Sequence, residues 1–310
     1  MLENRASSVS AELIAVLVAV TAGVPRVLTI GDGGSLPSGP LSPEHRSLQG
    51  GLRAWVERQT HHPLGYVEQL YTFADNDRHA AHDGRAISIS YLGLTREQAN
   101  PREEAAAWGG WYQYFPWEDR RGSAEPENQP IARALKAWAQ TAESAVERKA
   151  RRQRSAIAFG LEGRRWNDEM VLQRYELLYE AGLVAEAARD GIADGAGLRL
   201  GKPMRQDHRR ILATGIARLR AKITYRPVVF ELMPEAFTLL ELQRAVEAVS
   251  GVRLHKQNFR RMIERTGLVE GLGRQRAETG GRPAELFRYR REALTDRPAL
   301  GLSLPLASEG

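Results

Sequence analysis

The apolar positions of this 310-residue chain change rhythm along its length. Up to about residue 119 they gather into short runs at 14–21, 27–30, 67–73 and 87–94, bounded by Gly, Pro and polar residues. Such runs predict β-strands. A Gly/Pro/Ser loop at 31–43 leads into a helix-compatible stretch at 47–59. Strands interleaved with one helix point to an α/β or α+β sandwich. Residues 13–22 could pass for the apolar part of a signal peptide, but they are too short to span a bilayer, and Glu3 accompanies Arg5 ahead of them. The chain then returns at once to 27–30, so two strands with a turn at Gly23 and Pro25 are expected.

Beyond this region the spacing becomes helical. Residues 120–130 are polar, with Gly, Ser and two Pro, and read as a linker or insertion. Ile131, Leu135, Trp138, Ala142 and Ala145 then recur every three or four residues and run into the basic stretch 148–154, a solvated helix end. A second helix is expected at 167–181, with Val171, Tyr175 and Leu178 on one face and Gly182 as its C-cap. A Gly-rich break at 191–201 precedes a third helix at 206–223, and Pro227 and Pro234 bracket the apolar run 228–232. No repeat of solenoid period is present.

Thr238 followed by Glu241 forms a capping box. Leu239, Leu242, Val246 and Val249 supply the apolar face of the helix it opens, and Gly251 closes it. A second helix, 255–266, turns Phe259, Met262 and Ile263 inward. That leaves Lys256, Gln257, Asn258, Arg260, Arg261 and Arg265 outside. Two strand-like runs, 268–272 and 285–289, flank a basic Gly-rich loop at 273–283 that carries Arg274, Arg276 and Arg282. Helix, turn, basic helix and hairpin are the outline of a winged helix-turn-helix. In such a fold Arg and Lys meet guanine edges or phosphates in the major groove, and Gln and Asn suit adenine.

Charge sharpens this picture. The formal charge of +6 reflects 44 Lys+Arg against 38 Asp+Glu. Residues 238–291 hold twelve of the basic residues and six of the acidic ones, so the whole surplus lies in about a sixth of the chain. The rest of the chain sums to zero, and a net positive module of this kind is the footprint of a polyanion-binding domain. Apolar residues at 42% exclude a wholly disordered chain. The absence of cysteine excludes disulfides, thiolate metal sites and cysteine nucleophiles, and makes a cytoplasmic location the default expectation.

Residues 36–58 resemble a Nudix box. Counting from Gly39, His45 takes the place of its first Glu and Arg53 that of its Arg; Ala54, Trp55, Val56, Glu57 and Arg58 follow. Glu57 is the one carboxylate left of a cluster that must hold Mg²⁺ with several. A hydrolase is therefore not expected, whereas Arg53 and Arg58 could retain an anionic phosphate.

A Nudix-like domain joined to a C-terminal winged helix-turn-helix resembles the Nudix-related transcriptional regulators of NAD metabolism (NrtR-like). The likeness extends to Gln69-Leu70-Tyr71-Thr72-Phe73-Ala74-Asp75-Asn76-Asp77-Arg78 and residues 87–94. It continues at Leu219-Arg220-Ala221-Lys222-Ile223-Thr224-Tyr225, Phe237-Thr238-Leu239, Asn258-Phe259-Arg260-Arg261 and Gly281-Arg282-Pro283. The helical insertion, about 120–201, makes the chain most similar to the long alphaproteobacterial branch, whose members repress NAD synthesis genes.

The resemblance implies an α+β protein. A Nudix-like α/β/α sandwich (1–119) would be followed by a helical insertion with linker and dimerisation helices (120–226), a winged helix-turn-helix (227–295) and a flexible tail (296–310). It also implies a homodimeric repressor, without a membrane partner, that binds operator DNA and responds to ADP-ribose, NAD or ATP. Candidate effector contacts are Arg53, Glu57, Arg58, Arg78, Trp111 and His208. The competing readings are a Mg²⁺-dependent Nudix hydrolase of ADP-ribose with a nucleic-acid-binding tail, and a winged helix that binds protein. The aromatic cluster of Trp108, Trp111, Tyr112, Tyr114, Phe115 and Trp117 reads as core. His61, His62, His79 and His82 read as surface residues, and Gly31-Asp32-Gly33-Gly34 lacks the glycine spacing of a dinucleotide fingerprint.

Overall fold

The computed structural model describes residues 9–61, 65–74, 85–97, 106–122, 125–193, 198–276 and 283–292. Strand β1 (Val9–Thr21) runs through the middle of a mixed sheet. It is buried on both faces, which explains the unbroken apolar run at its centre. Strand β2 (Val24–Ile30) folds back antiparallel on it. The connection is the two-residue turn Ala22-Gly23, both with positive φ, whose twist matches that of the strands. Pro25 lies inside β2, opposite Val20, rather than in the turn as the sequence had suggested.

Strands β3 (Ser38–Pro40), β4 (Tyr66–Phe73), β5 (Arg85–Leu94) and β6 (Ala106–Gly110) complete the sheet in the order β4-β5-β1-β2-β6, with β3 paired to β1. The β1–β5 pairing is parallel and all others are antiparallel. Helix α1 (Leu48–Thr60) packs Leu52 and Val56 against Leu13, Ala15 and Leu17 on one face.

The other face, presented by Ile14, Val16 and Val18, is covered by helix α6 (His208–Tyr225) through Ile211, Leu212, Ile216 and Leu219. The β1 alternation thus feeds two cores, and α6 completes the second layer of an α/β/α sandwich. Its sequence position groups it with the linker helices; its packing joins it to the sheet.

Between them, α2 (Glu125–Gln140) and α3 (Ala145–Phe159) form a helical hairpin, followed by α4 (Val171–Glu180) and the short α5 (Ala185–Arg189). The stripe that reads as one continuous helix is broken where Ser144 caps α3, its hydroxyl accepting from Glu147 N at 3.0 Å. The basic run 148–154 therefore occupies the middle of α3 rather than a helix end. The aromatic segment forms β6 and two 3-10 turns, with Trp111, Tyr114, Phe115 and Trp117 buried.

The C-terminal part contains a 3-10 turn (Val228–Leu232), α7 (Leu239–Ser250), α8 (Lys256–Thr266) and the hairpin β7 (Val269–Arg276) and β8 (Ala284–Tyr289). Phe237 pairs with Phe287 through two backbone hydrogen bonds and adds a third segment to the hairpin. No helix among the described residues is long and apolar enough to cross a membrane.

Candidate nucleic-acid interface and sensor face

Helix α8 owes its orientation to two residues. Phe259 and Ile263, four apart and both fully buried, pin one face against α7 and Leu268. The opposite face carries Lys256, Gln257, Asn258, Arg260, Arg261 and Arg265, all exposed as the pattern predicts. The turn before it is held by Gln243, whose amide donates to Leu254 O and to Glu247 Oε1, both at 2.9 Å. Leu254 N donates to the same Glu247 oxygen at 2.9 Å. The angle between the two helices is thus set by a buried polar knot as well as by apolar contact.

In the wing, Arg274 is exposed. Arg276, a candidate phosphate contact, instead pairs with Glu241 of the capping box and so braces β7 against the start of α7. Arg282 lies outside the described residues, as do Arg78, His62, His79 and His82.

On the sandwich, Glu57 and Arg58 are exposed on α1 and Arg53 is half-buried, donating to Gly65 O at 3.1 Å. Arg58 lies over the Trp55 ring. His45 lies in the loop before α1, where its Nδ1 accepts from Ser42 N at 3.2 Å. The residues present do not fit a Nudix-type Mg²⁺ site: one helical carboxylate stands beside a guanidinium. Among the described residues no three His, Asp or Glu side chains converge as a metal-binding group.

Trp111 is fully buried in the main core, and His208 is 3% exposed with its Nδ1 accepting from Leu36 N at 2.8 Å. Both face the interior. His208 ties the start of α6 to the loop after β2.

A buried ionic joint, not marked by any motif, lies between the sandwich and α7. Glu118 accepts from Arg174 Nε at 2.5 Å and Nη2 at 2.8 Å, and from Arg220 Nη1 at 2.6 Å. All three side chains are fully buried. Burial alone would raise the Glu118 pKa, but the two guanidiniums outweigh it and hold the carboxyl below its ordinary range. Arg220 Nε also donates to Val249 O at 2.9 Å, near the end of α7. Tyr112 Oη donates to Ala248 O at 2.7 Å, and Arg120 N to Gly251 O at 2.7 Å. Three donors from the sandwich side thus satisfy the carbonyls of Ala248, Val249 and Gly251 at the end of the first helix of the helix-turn-helix. The detectable signal was a charge on a core-facing stripe: Arg174 between Val171 and Leu178, and Arg220 between Ile216 and Ile223.

Residues 229–289 match the family model of the NrtR DNA-binding winged helix domain. The C-terminal domain is thus similar to the winged helix of that family. A curated relative, the ADPR responsive transcriptional repressor NtrR of Acinetobacter baylyi, is 40% identical over 83 residues, 27% of this chain and 33% of the relative. The chain therefore matches about a third of that relative's length.

Structural likeness reaches further. Shewanella oneidensis NrtR, solved with a 27mer DNA, superposes with a TM-score of 0.54 at 20% identity, covering 92% of this chain and 95% of that one. A MutT/nudix family protein from Enterococcus faecalis gives a TM-score of 0.51 at 16% identity, covering 93% and 91%. The α+β architecture, an α/β/α sandwich followed by a winged helix, is thus shared along almost the whole chain.

Proposed function

We propose that this protein is a transcriptional repressor of NAD biosynthesis genes whose operator affinity is set by a NAD-related nucleotide bound to its Nudix-like domain. The observation that carries the reading is the exposed cationic face of α8 on an NrtR-type winged helix. The A. baylyi relative responds to ADPR, and ADP-ribose is the first effector to test, with NAD and ATP beside it. Arg53 and Arg58 are the proposed phosphate contacts and Glu57 a polar neighbour. Two recognition helices spanning a palindrome require a homodimer, acting in the cytoplasm.

A gel-shift titration on the NAD-synthesis promoter of the source organism tests the assignment. Arg260→Ala and Arg261→Ala should each abolish operator binding while leaving ADP-ribose affinity unchanged. Retained operator affinity would overturn it. The sensor domain binds nucleotide without cutting it, because α1 offers Glu57 alone where Mg²⁺ needs several carboxylates. Incubation with ADP-ribose and Mg²⁺ should accordingly release no AMP.

A further inference from the structure

A cavity of about 360 Å³ opens at the seam between the sandwich and the winged helix. One wall is the β1–β2 turn at Gly23 and the loop carrying Asp119 and Arg121. The other is α7, with Arg244 and Glu247, together with Arg253 from the turn before α8. Three guanidiniums and two carboxylates line it; Asp119 balances Arg121, and Glu247 accepts from the turn before α8, which leaves a net charge of one positive unit. Asp119 accepts from Arg121 Nε and Nη2, both at 2.8 Å. Half-burial would raise its pKa, yet this bidentate pairing keeps it below the ordinary range. Glu247 is spent on Gln243 and Leu254 N and is 8% exposed.

On the cationic side, Arg121 also donates to Gly23 O at 2.6 Å, and Arg253 donates from Nε to Arg121 O at 2.8 Å. These bonds hold two guanidiniums at one mouth. Arg244 is exposed, its Cβ packing toward Gly23 of the sandwich. Neither Arg244 nor Arg253 has a carboxylate partner among the described residues. A concave site with preorganised and unbalanced Arg charge concentrates anions and offers them paired N–H donors.

We propose that this seam is a binding site for a small phosphate-bearing ligand, separate from the Nudix-like helix. Its size suits a diphosphate or a mononucleotide. A bound oxyanion would bridge Arg244 of α7 and Arg253 of the turn before α8, beside the Arg121–Asp119 pair of the sandwich.

The test is calorimetric titration of the full chain with inorganic phosphate, pyrophosphate and AMP at low salt. Pyrophosphate should bind, and Arg244→Ala should weaken it at least tenfold, a change of about 1.4 kcal/mol. Arg244 is exposed, so the variant should keep the wild-type melting transition. Lys149→Ala, an exposed cation on α3 away from the cavity, should leave the affinity unchanged. Tighter binding of AMP than of pyrophosphate would assign the site to a nucleotide; the reverse would assign it to a free phosphate group. No heat with any of the three anions would overturn the proposal. So would equal affinity in Arg244→Ala, or an equal loss in Lys149→Ala. An Arg244→Ala variant that loses duplex binding but keeps pyrophosphate binding would make Arg244 a DNA contact and refute the site.

Discussion

Glu118 shows what a single side chain contributes here. Its carboxylate sits between Arg174 and Arg220, with all three fully buried. Removing one partner of such a group leaves uncompensated buried charge, which costs about 3–5 kcal/mol. Glu118→Gln should lower the unfolding free energy by that order in a urea titration, while the exposed pair Arg154–Glu180 can be broken for less than about 1 kcal/mol. The pH dependence adds a signature that simple loss of packing lacks. Because the folded state holds this carboxyl below its ordinary value of 4.5, its contribution is complete above that pH and is lost as the pH falls further. Glu118→Gln should flatten the acid limb of the stability profile, and an unchanged limb would remove Glu118 from this role. Sequence pattern could not supply the joint. Arg174 and Arg220 each stand out as a charge on a core-facing stripe, but Glu118, Arg174 and Arg220 are far apart in the chain, and spacing does not say that they meet.

At the level of elements, what was legible depended on how local the determinant is. Helix α7 was predicted from Thr238, Glu241 and Gly251, and all three perform there: Thr238 Oγ1 accepts from Glu241 N at 3.2 Å, Thr238 N donates to Glu241 Oε2 at 2.7 Å, and Gly251 closes the helix at φ +76°. The outward face of α8 was equally readable, because 3.6-residue periodicity places Phe259 and Ile263 inside and the cations outside. Phe237 as a third hairpin segment was not, since its partner Phe287 lies fifty residues on. The break between α2 and α3 was also hidden, by apolar spacing that continues across it. The capping box has a second duty, because Glu241 also holds Arg276 of the wing. Thr238→Ala should therefore cost about 1 kcal/mol in stability. It should also raise amide exchange in β7, measurable by hydrogen–deuterium exchange. Protection unchanged in β7 would show that the wing is braced without the cap.

For the whole molecule, the surplus of positive charge and the geometry of the reader make one joint prediction. Lys256, Arg260, Arg261, Arg265 and Arg274 are exposed on α8 and β7. In helix-turn-helix docking the N-terminal part of the recognition helix meets base edges, and cations farther along it meet phosphates. Arg265, in the last turn of α8, belongs to the second group. Each phosphate neutralised releases counterions and adds about −0.9 to the slope of log K against log salt. Arg265→Ala should therefore weaken operator and random duplex alike and reduce the slope by about one per protomer, whereas Arg260→Ala should erase the preference for operator. Fluorescence anisotropy on both duplexes at several salt concentrations separates the two effects. A slope unaffected by Arg265→Ala would place that residue off the DNA backbone. A preference unaffected by Arg260→Ala would move base recognition elsewhere on the winged helix. The sandwich carries no share of the surplus charge, so changes at Arg53 or Arg58 should leave the slope as it is and act on duplex binding through the effector alone.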